Sequence, residues 1–340
     1  MDKALKGLVM KQDVDYLEQI AELESRPYLA YPANLLDDLK RHIKHQPTGL
    51  GLPFAGTSLL RFVPGRWSLW SGPAFSGKTA FLRFLMTHAI KEGERVFFAS
   101  LEEEPVLVAK EFCTTVLTMR QLDERRVEDA IDWLDDRLVI FNHSGFIEPD
   151  VVIGAAIYAA KEFGITHAVI DSLMMLSIRK DDFDAQKELG MKLNRATRQY
   201  GIHFHLVVHP RKTTSSQDMM DMYDIQGAQE LVALAHTVAT IQRAPSSPKK
   251  REEWGIGGPG SLGDKCDSVL RAWKQRGDWN RVGMLELAYL PRGRQWALHP
   301  EHGHRRFMPD DMYSALQIKF EKRNPYDDRL YGVEGEQIGF

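Results

Sequence analysis

Residues 72–79 read Gly-Pro-Ala-Phe-Ser-Gly-Lys-Thr, a match to G-x-x-x-x-G-K-[ST] that restricts the fold more than any other stretch of this chain. The string follows WSLWS (67–71), an apolar run suited to a buried strand, and opens KTAFLRFLMTHAIK, whose apolar residues recur at helical spacing. A glycine-bearing loop between a strand and a helix lets backbone N–H groups converge on phosphate oxygens, and the helix N-terminus adds partial positive charge. Gly72, Ser76, Gly77, Lys78 and Thr79 are therefore the expected nucleotide-binding residues. Lys78 reaches the β- and γ-phosphates, and the Thr79 hydroxyl ligates Mg²⁺.

The rest of the chain repeats the alternation that begins there. Strand candidates are RVFFASL (95–101), RLVIFN (137–142), HAVIDS (167–172) and HFHLVVH (203–209), each apolar enough to be covered on both faces. Helical stretches near 78–91, 106–118, 149–163 and 183–199 separate them, so the fold class is α/β with a mostly parallel sheet covered by helices. Beyond a polar stretch after His209 lie a strand, TVATIQR (237–243), and a Pro/Gly/Ser-rich segment, 244–264, that reads as a flexible insertion. A C-terminal β-hairpin turning at GDWN follows. Upstream, residues 10–24 place Met10, Val14, Leu17 and Ala21 on one helical face. Leu35, Leu36, Leu39 and Ile43 form a second stripe, either a surface helix or a linker helix that docks on a neighbouring subunit. The domain boundaries expected are 1–45 for a helical extension, 46–320 for the core and 321–340 for an acidic tail.

Composition excludes several classes. With 43% hydrophobic and 27% charged residues, the 340-residue chain can bury a core. Two distant cysteines, Cys113 and Cys266, argue against a disulfide framework or a cysteine zinc site and for a reducing, cytoplasmic home. No run of 18 apolar residues is present, so no membrane span is expected. A net charge of -3 means that nucleic-acid binding has to rest on local sites.

Two acidic positions complete the expected site. Asp171 ends HAVIDS and, downstream of a phosphate loop, reads as the second magnesium ligand, although Asp is also a favoured helix N-cap. RVFFAS runs into Leu101-Glu102-Glu103-Glu104. A carboxylate at the C-terminal end of a strand beside the phosphate-loop strand can face the γ-phosphate and orient water, while the same glutamates also suit a helix start.

The ordered set PTGLGLP, GPAFSGKT, FFASLEEE, HAVIDSLMML, HLVVHPRK, DIQGAQEL and WKQRG resembles the RecA-type motor domain of the DnaB-like ring helicases. Within that family it is most similar to the bacteriophage primase-helicase and mitochondrial Twinkle branch, over roughly residues 46–300. The resemblance implies a RecA-like core, Glu102 as catalytic glutamate and His209 as γ-phosphate sensor. It further implies Arg211 and Lys212 on a loop gripping the DNA backbone, and Lys274 with Arg276 as cations reaching a neighbour's nucleotide, Arg276 being an arginine finger. ATP or another NTP with Mg²⁺, single-stranded DNA and a homo-oligomer, hexameric by the family norm, are the implied cofactors and partners.

The implied activity is a replicative DNA helicase translocating on single strands in a bacterial or phage-infected cell. Where the family's DNA loop carries D-L-R-x-S-G, this chain has Asp224-Ile225-Gln226-Gly227-Ala228-Gln229, and an expected aspartate is His236. About 45 residues precede the motor, too few for a primase domain. The acidic tail reads as a solvated terminus or as a docking peptide for a polymerase or other replication partner. Two rival functions remain: a filament-forming recombinase or mediator, and a helicase-related switch ATPase without unwinding.

Overall fold

The computed structural model of the chain describes residues 32–37, 39–40, 49–54, 57–211, 218–225, 229–258, 260–277 and 281–320. The expected 10–24 helix, Lys212, positions 226–228 and the acidic tail lie outside them, as do three of the four GDWN residues. Two compact units are present, Met1–Thr48 and Gly49–Phe340. In the first, Pro32–Leu35 form a 3-10 turn, and Leu35, Leu36 and Leu39 are exposed.

The second unit is built on strands whose alternate residues are apolar on both faces. Its strands are β1 (Leu50–Gly51), β2 (Arg61–Phe62), β3 (Trp67–Ser71), β4 (Val96–Ser100), β5 (Leu138–Ile140), β6 (His167–Asp171), β7 (His203–Val207), β8 (Thr237–Arg243), β9 (Ser268–Gln275), β10 (Gly283–Leu290) and β11 (Gln295–Ala297). The main sheet runs β11-β10-β9-β8-β3-β7-β6-β4-β5. Its six strands from β8 to β5 are parallel, and β9, β10 and β11 extend it antiparallel. The expected hairpin is thus β9–β10, an extension of the main sheet.

Eight helices are described: α1 (Lys78–Lys91), α2 (Pro105–Leu117), α3 (Glu124–Leu134), α4 (Pro149–Phe163), α5 (Phe183–Tyr200), α6 (Gln229–Leu234), α7 (Pro248–Glu253) and α8 (Asp310–Ala315). Local chemistry sets their ends. Pro105 and Pro149 occupy the first helical turn, where a missing N–H is harmless. Asp123 and Asp182 cap α3 and α5 by accepting backbone N–H bonds at 3.1 and 2.9 Å. Gly164 and Gly201 close α4 and α5 in the left-handed conformation.

Trp70, Phe98, Val169 and Val207 turn to one sheet face and pack with Phe81, Leu85, Phe112 and Val116 from α1 and α2. Trp67, Leu69, Ala99, Ile170 and Phe204 turn to the other and meet α4, α5 and α6. The result is a three-layer α/β unit with both sheet faces dry, and among the described residues no helix is long and apolar enough to cross a membrane.

Two expectations are corrected. The strand bearing the Glu102 segment, β4, does not lie beside the phosphate-loop strand β3; β7 and β6 stand between them. The segment 244–264 is not a slack insertion either. Trp254 and Ile256 bury against Cys266 and Val269 in a satellite core. Arg251 donates to the carbonyls of Pro245, Gly263 and Cys266 at 2.8, 2.8 and 3.1 Å, which ties the ends of the segment together.

Candidate nucleotide site

The loop from β3 to α1 is shaped for a polyanion. A Cβ added at Gly72 would stand 2.1 Å from the Ile241 carbonyl oxygen and 2.8 Å from Ser76 Oγ, so only glycine fits there. Gly77 has φ +94° and carries Trp296 against its α-carbon, leaving 3.2 Å for a Cβ. Trp296, from β11, also meets Phe81 and Phe84 with ring centroids 5.4 and 6.0 Å apart, so the antiparallel extension braces the first turns of α1. Ser76 Oγ is buried without a hydrogen-bond partner. An orphaned hydroxyl in a backbone cradle is what a bound phosphate oxygen satisfies. At the loop tip Phe75 sits at φ +60° and is 89% exposed.

Lys78 Nζ donates to the Gly72 and Pro73 carbonyls at 2.8 and 2.9 Å, holding its charge inside the loop. Burial lowers its pKa, and the nearby carboxylates of Asp171 and Glu102 oppose that. Thr79 Oγ1 donates to Asp171 Oδ2 at 2.5 Å, joining the start of α1 to the end of β6. Burial raises the Asp171 pKa to about 6, against the Thr79 hydrogen bond that lowers it. A hydroxyl and a buried carboxylate brought together this way are oxygen donors of the kind that Mg²⁺ selects, so the residues present fit that ion.

Glu102 lies just past β4, with β7 and β6 between that strand and β3, yet it reaches the same centre. Its Oε1 accepts from Ser172 Oγ at 2.5 Å and faces His209 Nε2 at 3.2 Å. The hydrogen bond from His209 is the chief reason its pKa is lowered, with Ser172 adding to it and partial burial opposing it. A carboxylate kept ionised and half-exposed can orient a water and accept its proton. His209 stands two residues beyond the end of β7, not on the strand as expected. Sequence reasoning passed over Ser172 and Arg83. Buried Arg83, five residues into α1, pairs with Glu103 at 2.5 Å. Ser172 follows Asp171 directly, so its neighbourhood was in view, but a serine after a strand carries no distinctive signal.

Lys274 and Arg276 are not brought to this centre. Strand register puts Gln275 opposite Thr237, which is level with Ser68, whereas the phosphate loop leaves β3 after Ser71. Four residue steps of β3 span about 13 Å, so the two cations stand at the far edge of the sheet from their own phosphate loop. There Lys274 Nζ donates to the Val232 and Ala233 carbonyls at 2.6 and 2.9 Å, and Arg276 Nη2 to Ala233 at 2.6 Å. Arg211 is exposed beside β7, its backbone N–H bonded to the Asp224 carbonyl at 2.7 Å, and it shares a cavity of about 330 Å³ with Lys274.

A phosphate cradle, a Thr–Asp pair and an ionised glutamate on the C-terminal edge of a parallel sheet define a P-loop nucleoside triphosphatase with a RecA-like core. Residues 57–235 match the model of the KaiC ATPase family, and the chain belongs to that family. Among solved structures it is similar to one described as an ATPase domain, with 15% identity and a TM-score of 0.61, over 79% of this chain and 99% of that one. A DnaB-like replicative helicase, solved in a study of its interactions with primase, gives 14% identity and a TM-score of 0.62, over 86% and 76%. At such identities the likeness is one of fold.

Proposed function

We propose that this chain is the motor subunit of an ATP-dependent ring helicase that translocates on single-stranded DNA in replication and splits nucleotide between adjacent copies. The observation that carries the proposal is the separation just described. One edge of the sheet gathers Lys78, Thr79, Asp171, Glu102 and His209, and the opposite edge holds Lys274 and Arg276. In a head-to-tail assembly the far edge of one copy meets the open edge of the next, so the separated halves of the site combine across the boundary.

In this scheme Lys78 releases the loop carbonyls for the β- and γ-phosphates, and Thr79 with Asp171 holds Mg²⁺. When bound, that ion neutralises charge on the phosphate oxygens. Glu102 orients the attacking water, His209 links Glu102 to the γ-phosphate position, and Arg276 of the adjacent copy, with Lys274, stabilises charge on the transferred group. Arg211 and Lys212 contact the strand backbone. Six copies around one strand repeat those few cations, which suits a chain of net charge -3.

The test is complementation. Lys78→Ala and Arg276→Ala should each be inactive alone. Mixed in equal amounts, about one interface in four joins an intact loop to an intact finger, so turnover per site should return to about a quarter of wild type. Zero recovery with mixed assembly verified rejects the shared site. Gln226 and Ala228 at the family's DNA loop favour a second function, a switch ATPase. Unwinding of a forked duplex separates the two.

A further inference from the structure

Arg66 occupies the residue before β3, and its backbone is fixed there because its carbonyl accepts the Phe204 N–H at 3.3 Å. Its side chain does not turn to an acid. Nη1 donates to the carbonyl of Arg276 at 2.5 Å, across 210 residues of sequence. The N–H of Arg276 is held in turn by the His236 carbonyl at 2.8 Å. The peptide units on both sides of the Arg276 α-carbon are therefore pinned, one by His236 and one by Arg66.

The next residue is built around this contact. Gly277 has φ +105°, and a Cβ there would stand 2.3 Å from Arg66 Nη1 and 2.8 Å from Cζ. Any side chain at 277 displaces the guanidinium. The surroundings are also uniformly cationic. Burial first, then Arg66, Arg276, Arg198 and Lys274, lower the His236 pKa to about 4, with no acid among the groups acting on it. Setting an arginine among other cations to hold one carbonyl is electrostatically unfavourable in the isolated chain. It becomes favourable when a polyanion arrives.

We propose that Arg66 is the positioning residue for Arg276, its guanidinium clamping the Arg276 carbonyl so that the finger leaves β9 from one fixed place toward the neighbouring copy's nucleotide. The proposal rests on the shared site of the preceding subsection. Arg66 touches neither its own phosphate loop nor the transferred group. Its effect is therefore exerted in trans, on the site completed by its own subunit's finger.

The test measures steady-state turnover and nucleotide affinity for Arg66→Ala, Gly277→Ala and Arg66→Lys in the full chain. A finger misplaced by about 1 Å lowers kcat by about 10²-fold. Arg66→Ala and Gly277→Ala should both show that loss with unchanged affinity for a fluorescent ATP analogue, and Arg66→Lys should restore part of it. Equal parts Arg66→Ala and Lys78→Ala should then recover activity, because intact loops on the Arg66→Ala subunits meet well-placed fingers on the others. Should Arg66→Ala fail to assemble, Gly277→Ala replaces it in the mixture. If Arg276→Ala with Lys78→Ala recovers and the Arg66→Ala mixture does not, Arg66 acts on its own loop and the clamp is wrong. Wild-type kcat in both single variants also overturns it. Failure of the Arg276→Ala control, mixed assembly verified, removes the shared site and the clamp together.

Discussion

Three histidines lie where the strands on either side of the parallel sheet's centre turn inward, and they should make the fold acid-labile in a defined window. His203 and His205 on β7 and His167 on β6 are essentially inaccessible to solvent. His203 spans Ser68 Oγ and the Val63 carbonyl, each at 2.7 Å; His205 accepts from Trp70 Nε1 at 3.1 Å and faces His167 Nδ1 at 3.2 Å. Phe62 covers His203 and His205 edge-on. Besides burial, the groups acting on the cluster are its own rings, the Val63 carbonyl, His236 and Arg66, and no carboxylate is among them. Burial lowers the His167 pKa from 6.5 to about 4 and lowers His203 and His205 well below 6.5. Because the folded chain refuses protons that the unfolded chain accepts, stability is full above pH 6.5 and falls as pH drops from there through about 4. At pH 5 the His167 ring, kept neutral, withholds about 2 kcal/mol, at ~1.4 kcal/mol per pH unit below the unfolded pKa. His203 and His205 shift in the same direction and add to that loss. Urea unfolding at pH 7.5 and pH 5, followed by intrinsic tryptophan fluorescence, measures the difference directly. A loss of less than about 2 kcal/mol refutes the buried neutral cluster, since one ring alone supplies that much.

Three further outcomes are expected. Glu102→Gln should bind nucleotide normally and turn it over about 10²–10⁴-fold more slowly, read by single-turnover hydrolysis beside an equilibrium binding isotherm. Burial, then Arg276, lowers the Lys274 pKa to about 8, so kcat/KM should fall as pH rises past 8 and Lys274 loses its proton; Lys274→Arg should carry that alkaline limb out of the measurable range. Trp254→Ala should destabilise the chain by about 3 kcal/mol in urea titration while leaving nucleotide affinity at the phosphate loop unchanged, because the satellite core packs segment 244–264 against β9 and β10 and includes no phosphate-loop residue.

Much of the fold was legible because its strands are apolar on both faces and its helices are bounded by proline, aspartate and glycine at positions with mechanical meaning. WSLWS, TVATIQR and the 78–91 and 149–163 helices coincide with elements of the structure. Lateral strand order was not legible, since no local residue says that β7 and β6 come between β3 and β4. Segment 244–264 misled for a related reason. Its glycines and prolines dominate a composition count, but one arginine aimed at three carbonyls and one tryptophan organise it. The convergence of Thr79 with Asp171 follows from the spacing of a phosphate loop and an acidic strand end. Ser172 beneath Glu102 and Arg66 against Arg276 depend on long-range geometry that no motif encodes.

The tethering of Lys274 and Arg276 to the end of α6 carries a cost for whatever uses them. The last turn of a helix has carbonyls without partners of their own, and here two of them are satisfied by these cations alone or in part. Drawing both side chains outward strips three charge-assisted bonds from Val232 and Ala233, and the six-residue helix has little else to keep that turn closed. Recruitment of the cations and loosening of α6 are thus two halves of one exchange, and a molecule that captures the first receives the second with it.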